Sequence, residues 1–400
     1  MANNIIVGLD VGTATVNTVV VGVERGKSRP GAGPAESRKT LRILGAGQCQ
    51  NQGMRRGYVV DFDETVSSIR KSVREAERSA GLPIKRAYIS FGGVGLGAER
   101  SQATVAVSRA DREISEADVK RVVSQSEANL SHFANKQILH TIPLNFFIDR
   151  DLKTTKPVGL KGGKLEAEIL FITCFNQHYD DLVRSVEAAG VAVEDVVASP
   201  LATSKAVLTK RQRETGSLLV DFGAGTVSLA VFEEGIPISL ESFPIGSSHI
   251  TSDIALGFSI PLEDAEILKV SFGSENFSKK KLSEIINARL SDIFELIEGH
   301  LKKINRNALL PGGIILTGGG AGLANIAETA KDYLKLPAAV GELKDLAGAD
   351  KLAGSGWATS VGLCLWLAEE KEGLEINSHL PSGIKNVKNS ILRWFHSFLP

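Results

Sequence analysis

Leu218-Leu219-Val220-Asp221-Phe222-Gly223-Ala224-Gly225-Thr226 is a short apolar run that ends on a carboxylate and then passes through two glycines. The run reads as a buried strand entering a tight turn, with Val227–Phe232 returning as a second strand. Two glycines remove side chains where backbone amides must approach a charged oxygen, and Thr226 adds a hydroxyl donor. The same event opens the chain: Ile5–Leu9 runs into Asp10-Val11-Gly12-Thr13, and Val16–Val23 is the returning strand. A third strand, Ile314–Thr317, runs into Gly318-Gly319-Gly320, and Gly322–Leu334 reads as a helix whose N-terminus would favour phosphate. Strand-and-glycine units recurring in both halves predict a duplicated α/β architecture, with a ligand cleft between two lobes.

An Asp at a strand end beside a glycine turn can hold a magnesium-bound water, while the turn's amides face phosphate oxygens. Any one of these loops alone is equally well a plain turn. Three of them in this order point to a nucleotide.

The remaining chain constrains the class. It has 400 residues, 43% hydrophobic and 23% charged, with Lys plus Arg and Asp plus Glu both at 46. That balance gives no reason to expect nucleic acid as a partner. Cys49, Cys174 and Cys364 are far apart, which argues against a disulfide framework or a zinc site. No apolar stretch reaches the roughly 18–20 residues of a transmembrane helix. Glu24–Thr40 reads as a long hairpin loop and Asp63–Ala80 as a helix ended by Gly81. Lys279-Lys280-Lys281 reads as a solvated surface turn.

The order of first phosphate loop, connecting segment, second phosphate loop and adenosine loop resembles the actin, sugar-kinase and heat-shock-chaperone superfamily. Within it the chain resembles the FtsA family of bacterial cell-division proteins, over nearly all of its length. The resemblance includes Gly57-Tyr58-Val59-Val60-Asp61, Gln177-His178-Tyr179, Ser199-Pro200-Leu201-Ala202, Gly246 and Asn287-Ala288-Arg289-Leu290. It implies ATP with Mg2+ as ligand. Asp10 and Asp221 would lie near the metal. Gly12, Thr13, Gly223, Gly225 and Thr226 would surround the phosphates, with Gly318, Gly319 and Gly320 beside the adenosine and Arg289 against the base. The implied division is a first lobe of 1–83 plus 167–205 with an inserted subdomain at 84–166. The second lobe is 206–245 plus 309–368, with a subdomain at 246–308.

In the related polymer protein MreB an acidic residue precedes the Pro-Leu-Ala of the connecting segment and orients the attacking water. Here Ser199 stands there, and no Lys follows the first loop, where Thr15 and Asn17 stand. A serine is no carboxylate base, so ATP binding with slow or absent hydrolysis is expected.

A polar stretch at 369–383 reads as a flexible linker. After it, Val387, Ile391, Trp394, Phe395 and Phe398 recur at helical spacing, with Lys385, Lys388 and Arg393 alongside. That pattern over 384–400 reads as an amphipathic helix on anionic lipid at the cytoplasmic face of the membrane. The family resemblance implies the FtsZ C-terminal peptide as partner, on the 246–308 subdomain, together with other division proteins and head-to-tail copies of the chain itself. The pilus protein PilM is a rival of the same fold, without an expected tail helix. A superfamily sugar kinase would need an acidic base in the cleft.

Overall fold

The computed structural model describes residues 5–25, 39–130, 135–272, 277–343, 346–352 and 355–376. The first lobe begins with strands β1 (Ile5–Val11), β2 (Thr15–Arg25) and β3 (Lys39–Gln50), then a small hairpin, β4 (Met54–Arg55) and β5 (Tyr58–Val59). Helix α1 (Phe62–Ala80) follows, capped by the Asp61 side chain and ended by Gly81 at φ 67°. Strand β6 (Arg86–Phe91) pairs parallel to β1.

The chain then leaves this sheet for a second one: β7 (Gly97–Ala106), α2 (Glu116–Ala128), β8 (Lys136–Ile148), β9 (Leu152–Thr154) and β10 (Lys164–Phe175). Their order is β7-β10-β8-β9, with α2 packed on one face through Val119, Val122 and Val123. It returns through α3 (Asn176–Ala188), β11 (Ala192–Ala198), α4 (Ser199–Val207) and α5 (Lys210–Thr215).

The second lobe repeats the first with β12 (Ser217–Phe222), β13 (Val227–Glu233) and β14 (Ile236–Phe243). Helices α6 (Ser247–Phe258), α7 (Leu262–Ser271) and α8 (Lys279–Lys303) follow. Then come β15 (Ile314–Thr317), α9 (Ile326–Leu334), β16 (Ala338–Val340) and α10 (Ala358–Ile376). The two main sheets are ordered β11-β6-β1-β2-β3 and β16-β15-β12-β13-β14. In each, an antiparallel hairpin sits at the centre and its first strand pairs parallel with a later one.

The last helix of each lobe packs on the other. α10 lies over β1, where a Cβ at Gly8 would fall 2.2 Å from the Ser360 carbonyl oxygen. α4 and α10 touch backbone to backbone at Gly362, whose Cβ would lie 2.0 Å from the Ala202 oxygen. Thr203 and Thr359 share a buried hydroxyl contact of 2.9 Å between the same two helices.

Four sequence expectations are corrected. The inserted sheet runs from Gly97 to Phe175, not over 84–166, because β6 pairs with β1 while β10 pairs with β7 and β8. Gly318–Gly320 do not lead straight into a helix; a 3-10 turn at Gly319–Gly322 intervenes and α9 starts at Ile326. Lys279-Lys280-Lys281 is the first turn of α8, with Lys281 Nζ bonded to the Gly257 carbonyl. α10 continues to Ile376, through the first half of the expected linker: Glu369-Glu370-Lys371-Glu372 is polar but consists of good helix formers. The rest of that linker, and Val387, Ile391, Arg393, Trp394, Phe395 and Phe398, lie outside the described residues, as does 26–38 of the expected hairpin loop.

Candidate functional site: a cleft between two Asp-tipped hairpins

Each central hairpin closes in the same way. In the first lobe, Gly12 N donates to the Thr15 carbonyl at 2.9 Å; in the second, Gly223 N donates to the Thr226 carbonyl at 2.9 Å. By register Asp10 pairs with Asn17 and Asp221 with Ser228, so both carboxylates occupy the same place beside their turns. Both face one cavity of about 470 Å³, the size of a small-molecule site.

The walls of that cavity come from both lobes. Asp10, Gly12, Thr13, Asp221, Gly223, Thr226, Gly318, Gly319 and Gly320 all line it. Gly225 does something else: its Cβ would approach the Thr13 methyl at 3.0 Å and the Arg56 amide nitrogen at 3.2 Å, so it lets the hairpins of the two lobes meet. Arg289 is not among the lining residues. Its guanidinium is held by both oxygens of Asp253, at 2.6 and 2.9 Å, tying α8 to α6.

The structure adds residues that sequence reasoning passed over. Gly92 and Gly93 follow β6 as Gly318 and Gly319 follow β15, and they line the first lobe's side. The echo of Thr317-Gly318-Gly319 in Phe91-Gly92-Gly93 was the available signal. Asn17 Nδ2 donates to the Gly356 carbonyl at 3.0 Å, joining β2 to the approach of α10. Further along the cleft, Glu266 and Lys269 on α7 form a 2.7 Å ion pair, and Lys269 Nζ also reaches the Thr251 hydroxyl at 2.8 Å. No motif in the sequence marks that pair.

The electrostatics centre on the two aspartates. Burial pushes Asp10 up to about 6, against a 2.5 Å hydrogen bond from Ser90 that pulls it down. Burial and then the neighbouring Asp10 charge push Asp221 up to about 7, opposed by the Thr359 and Thr203 hydroxyls. Two desolvated carboxylates facing each other repel, and a divalent cation relieves both problems at once. Gly318 leaves the room this needs: at φ 82° its absent Cβ would stand 2.4 Å from Asp221 Oδ1. Two carboxylates suit Mg2+, which keeps waters and takes phosphate oxygens as its other ligands.

Paired five-stranded sheets with exchanged terminal helices and a cleft between matched hairpins define an actin-like protein. The solved structures it resembles share that fold. A PilM–PilN type IV pilus biogenesis complex superposes with a TM-score of 0.63 at 15% identity, over 90% of this chain and 97% of that one. MreB5 of Spiroplasma citri bound to ADP gives 0.53 at 13%, over 93% and 99%. The family model described as cell division protein FtsA matches residues 218–362, and the SHS2 domain inserted in FtsA matches 94–173. The chain is 32% identical to the cell division protein FtsA of Borreliella burgdorferi, covering 93% of each. It is 28% identical to that of Pseudomonas aeruginosa, covering 94% of this chain and 92% of the relative. The chain belongs to the FtsA family of cell division proteins.

Proposed function

We propose that this division protein binds ATP with Mg2+ in the cleft and acts as an adaptor, tethering the FtsZ polymer to the membrane and assembling head to tail on it. The observation that carries the nucleotide reading is the matched pair of Asp-tipped glycine hairpins facing one cavity. Asp10 and Asp221 hold the ion's shell. Gly12, Thr13, Gly223 and Thr226 surround the phosphates, with Gly225 closing the loops together, and Gly318–Gly320 lie along the nucleoside. Glu266 and Lys269 are placed to meet its hydroxyls. MreB structures with ADP and with AMPPNP are relatives of this fold, which supports the ligand class.

Turnover is slow in this reading. Ser199 lines the cleft at the position where the resemblance to MreB implies a water-orienting acid, and Glu266, the further lining carboxylate, is already paired with Lys269. The ion would supply charge neutralisation; the chain's own residues bind and orient.

The tethering reading draws on two features. Helices α6 and α7 leave Leu256, Leu262 and Ile267 exposed at 79, 55 and 66%, and we assign the FtsZ C-terminal peptide to this apolar surface. The amphipathic pattern of 384–400 supplies the membrane end, and head-to-tail assembly multiplies its weak single attachments. Among the described residues no helix is long and apolar enough to cross a membrane.

Liposome flotation tests the adaptor. The full chain is expected to float with anionic vesicles and to carry FtsZ with it. Trp394→Glu should release both by about tenfold or more, since one large apolar side chain contributes roughly 1.5–3 kcal/mol, while leaving ATP affinity unchanged. Ile267→Glu should lose FtsZ and keep the lipid. A Trp394→Glu protein that still floats removes the tail from this reading.

A further inference from the structure

One hydrogen bond joins the inserted subdomain to the wall of the cleft. β11 is the outermost strand of the first sheet, paired only with β6. Its last residue, Ala198, is fully buried. A buried backbone N–H is costly to leave without a partner. Here the partner comes from outside the sheet: Ala198 N donates to His140 Nε2 on β8 at 3.0 Å. For Nε2 to accept, the ring must be neutral with its proton on Nδ1. Burial, which holds His140 down to about 4, keeps it so. The imidazole is also packed against Trp366 of α10, the ring centroids 5.5 Å apart.

The next residue is Ser199, which opens α4 and lines the cleft. It sits beside Gly92, the residue after Ala198's strand partner Phe91, closely enough that a Cβ there would lie 2.8 Å from its Oγ. The peptide fixed by His140 therefore leads directly into a close approach between two neighbouring strand ends on the cavity wall.

We propose that His140 is a positioning residue for the cleft: the inserted subdomain, through this imidazole, holds the Ala198–Ser199 peptide where the nucleotide requires it. The inserted subdomain is then a part of the binding site, although among the described residues it supplies none of the lining. The inference rests on the reading of the cleft as a nucleotide site.

The test is calorimetric titration of the full chain with Mg2+ and AMPPNP, together with hydrogen exchange at the Ala198 amide. His140→Phe keeps a ring against Trp366 but has no acceptor. It should weaken binding by about five- to twentyfold, as the Ala198–Ser199 peptide shifts to find its amide another partner, and speed exchange at Ala198. His140→Gln can still accept and should stay within about twofold of wild type. At φ −58° and ψ 124° the backbone of Ala198 is open to proline, but the ring Cδ would replace the amide hydrogen aimed at Nε2, so Ala198→Pro is made together with His140→Gly, which clears that room and removes the same bond from the donor side. It should weaken binding even if the His140→Phe protein does not fold. A His140→Phe variant, or Ala198→Pro with His140→Gly, that is folded and binds as wild type overturns the inference, as does His140→Gln binding as weakly as His140→Phe. A wild-type chain that does not bind the nucleotide sinks the reading of the cleft instead.

Discussion

The two hairpins share a backbone and differ in what holds their carboxylates. In the first lobe Ser90, beside Asp10 on the neighbouring strand, donates to it at 2.5 Å. In the second lobe the corresponding residue is Thr317, which pairs with Asp221 by register, yet its buried hydroxyl has no hydrogen-bond partner among the described residues. Asp221 meets the Thr359 hydroxyl at a longer 3.5 Å, from the helix that crosses between the lobes. Asp10 is thus fixed within its own sheet, whereas the surroundings of Asp221 depend on how the lobes sit together. The duplicated fold supplies two similar places, and the neighbours make one rigid and the other responsive.

The sharpest way to break this contrast is to fill the glycine that follows the neighbouring strand in each lobe, Gly92 after β6 and Gly318 after β15. Gly318→Val puts a branched side chain at φ 82° against Asp221 itself, and binding of Mg-ATP should fall by about a hundredfold or more, into the range of several kcal/mol. Gly92→Ala meets the Ser199 hydroxyl, the end of a small side chain that can turn away, so about tenfold or less is expected. Calorimetry on both reads the difference, and equal losses would show the two sides to be equivalent.

The next effect is electrostatic. Both carboxylates bind protons more tightly in the folded chain than unfolded, near 6 and 7 against 3.8. Their contribution to the stability of the nucleotide-free protein is therefore fully present below about pH 4 and is lost as the pH rises through 6 to 7. Ion binding needs the charged forms and should run the other way. From pH 8 down to 5.5, magnesium-dependent ATP affinity should drop about tenfold or more while this pair adds to the free protein's stability. Asp221→Asn should raise the free protein's Tm at pH 7.5 by about 2 °C and weaken Mg-ATP binding at least tenfold. Parallel changes in affinity and Tm would remove the burial argument.

The smallest effect separates the two hydroxyls. Ser90→Ala removes a hydrogen bond to a buried carboxylate and should weaken nucleotide binding a few fold, about 1 kcal/mol. Thr317→Val loses a hydroxyl that bonds to nothing and should change affinity less than about twofold. A larger loss with Thr317→Val would mean that this hydroxyl engages Asp221 once ligand is bound.

Much of this cleft could be read from the chain because it is local. A strand, a carboxylate and a glycine turn are consecutive residues, and the loops at Asp10, Asp221 and Gly318 all face the cavity. What escaped was made by distance. Glu266 and Lys269 enter from a helix with no signature, and His140 reaches the cleft wall from the inserted sheet, 58 positions before its partner. Arg289 could be placed on a helix by periodicity, but not against Asp253 rather than a base. The end of α10 departs from the expected linker because Glu369-Glu370-Lys371-Glu372 are polar yet good helix formers, and polarity alone does not mark where a helix stops.

The exchange of α4 and α10 has a consequence for how the chain is made. β1 leaves the ribosome long before α10, the helix that covers it. Asn17 waits for Gly356, a partner 339 residues later, and the Cys364 thiol lies against backbone oxygens of β1 and β2. At roughly 5–20 residues per second, the first sheet spends on the order of twenty seconds to a minute with its apolar face uncovered. During that interval Ile6, Val19 and Val21, on the face of the sheet that Gly8 turns toward α10, are exposed and prone to stick elsewhere. The nascent first lobe is accordingly a client for whatever shields hydrophobic strands in the cell, and truncations that stop short of α10 should be recovered as aggregates rather than as half-proteins.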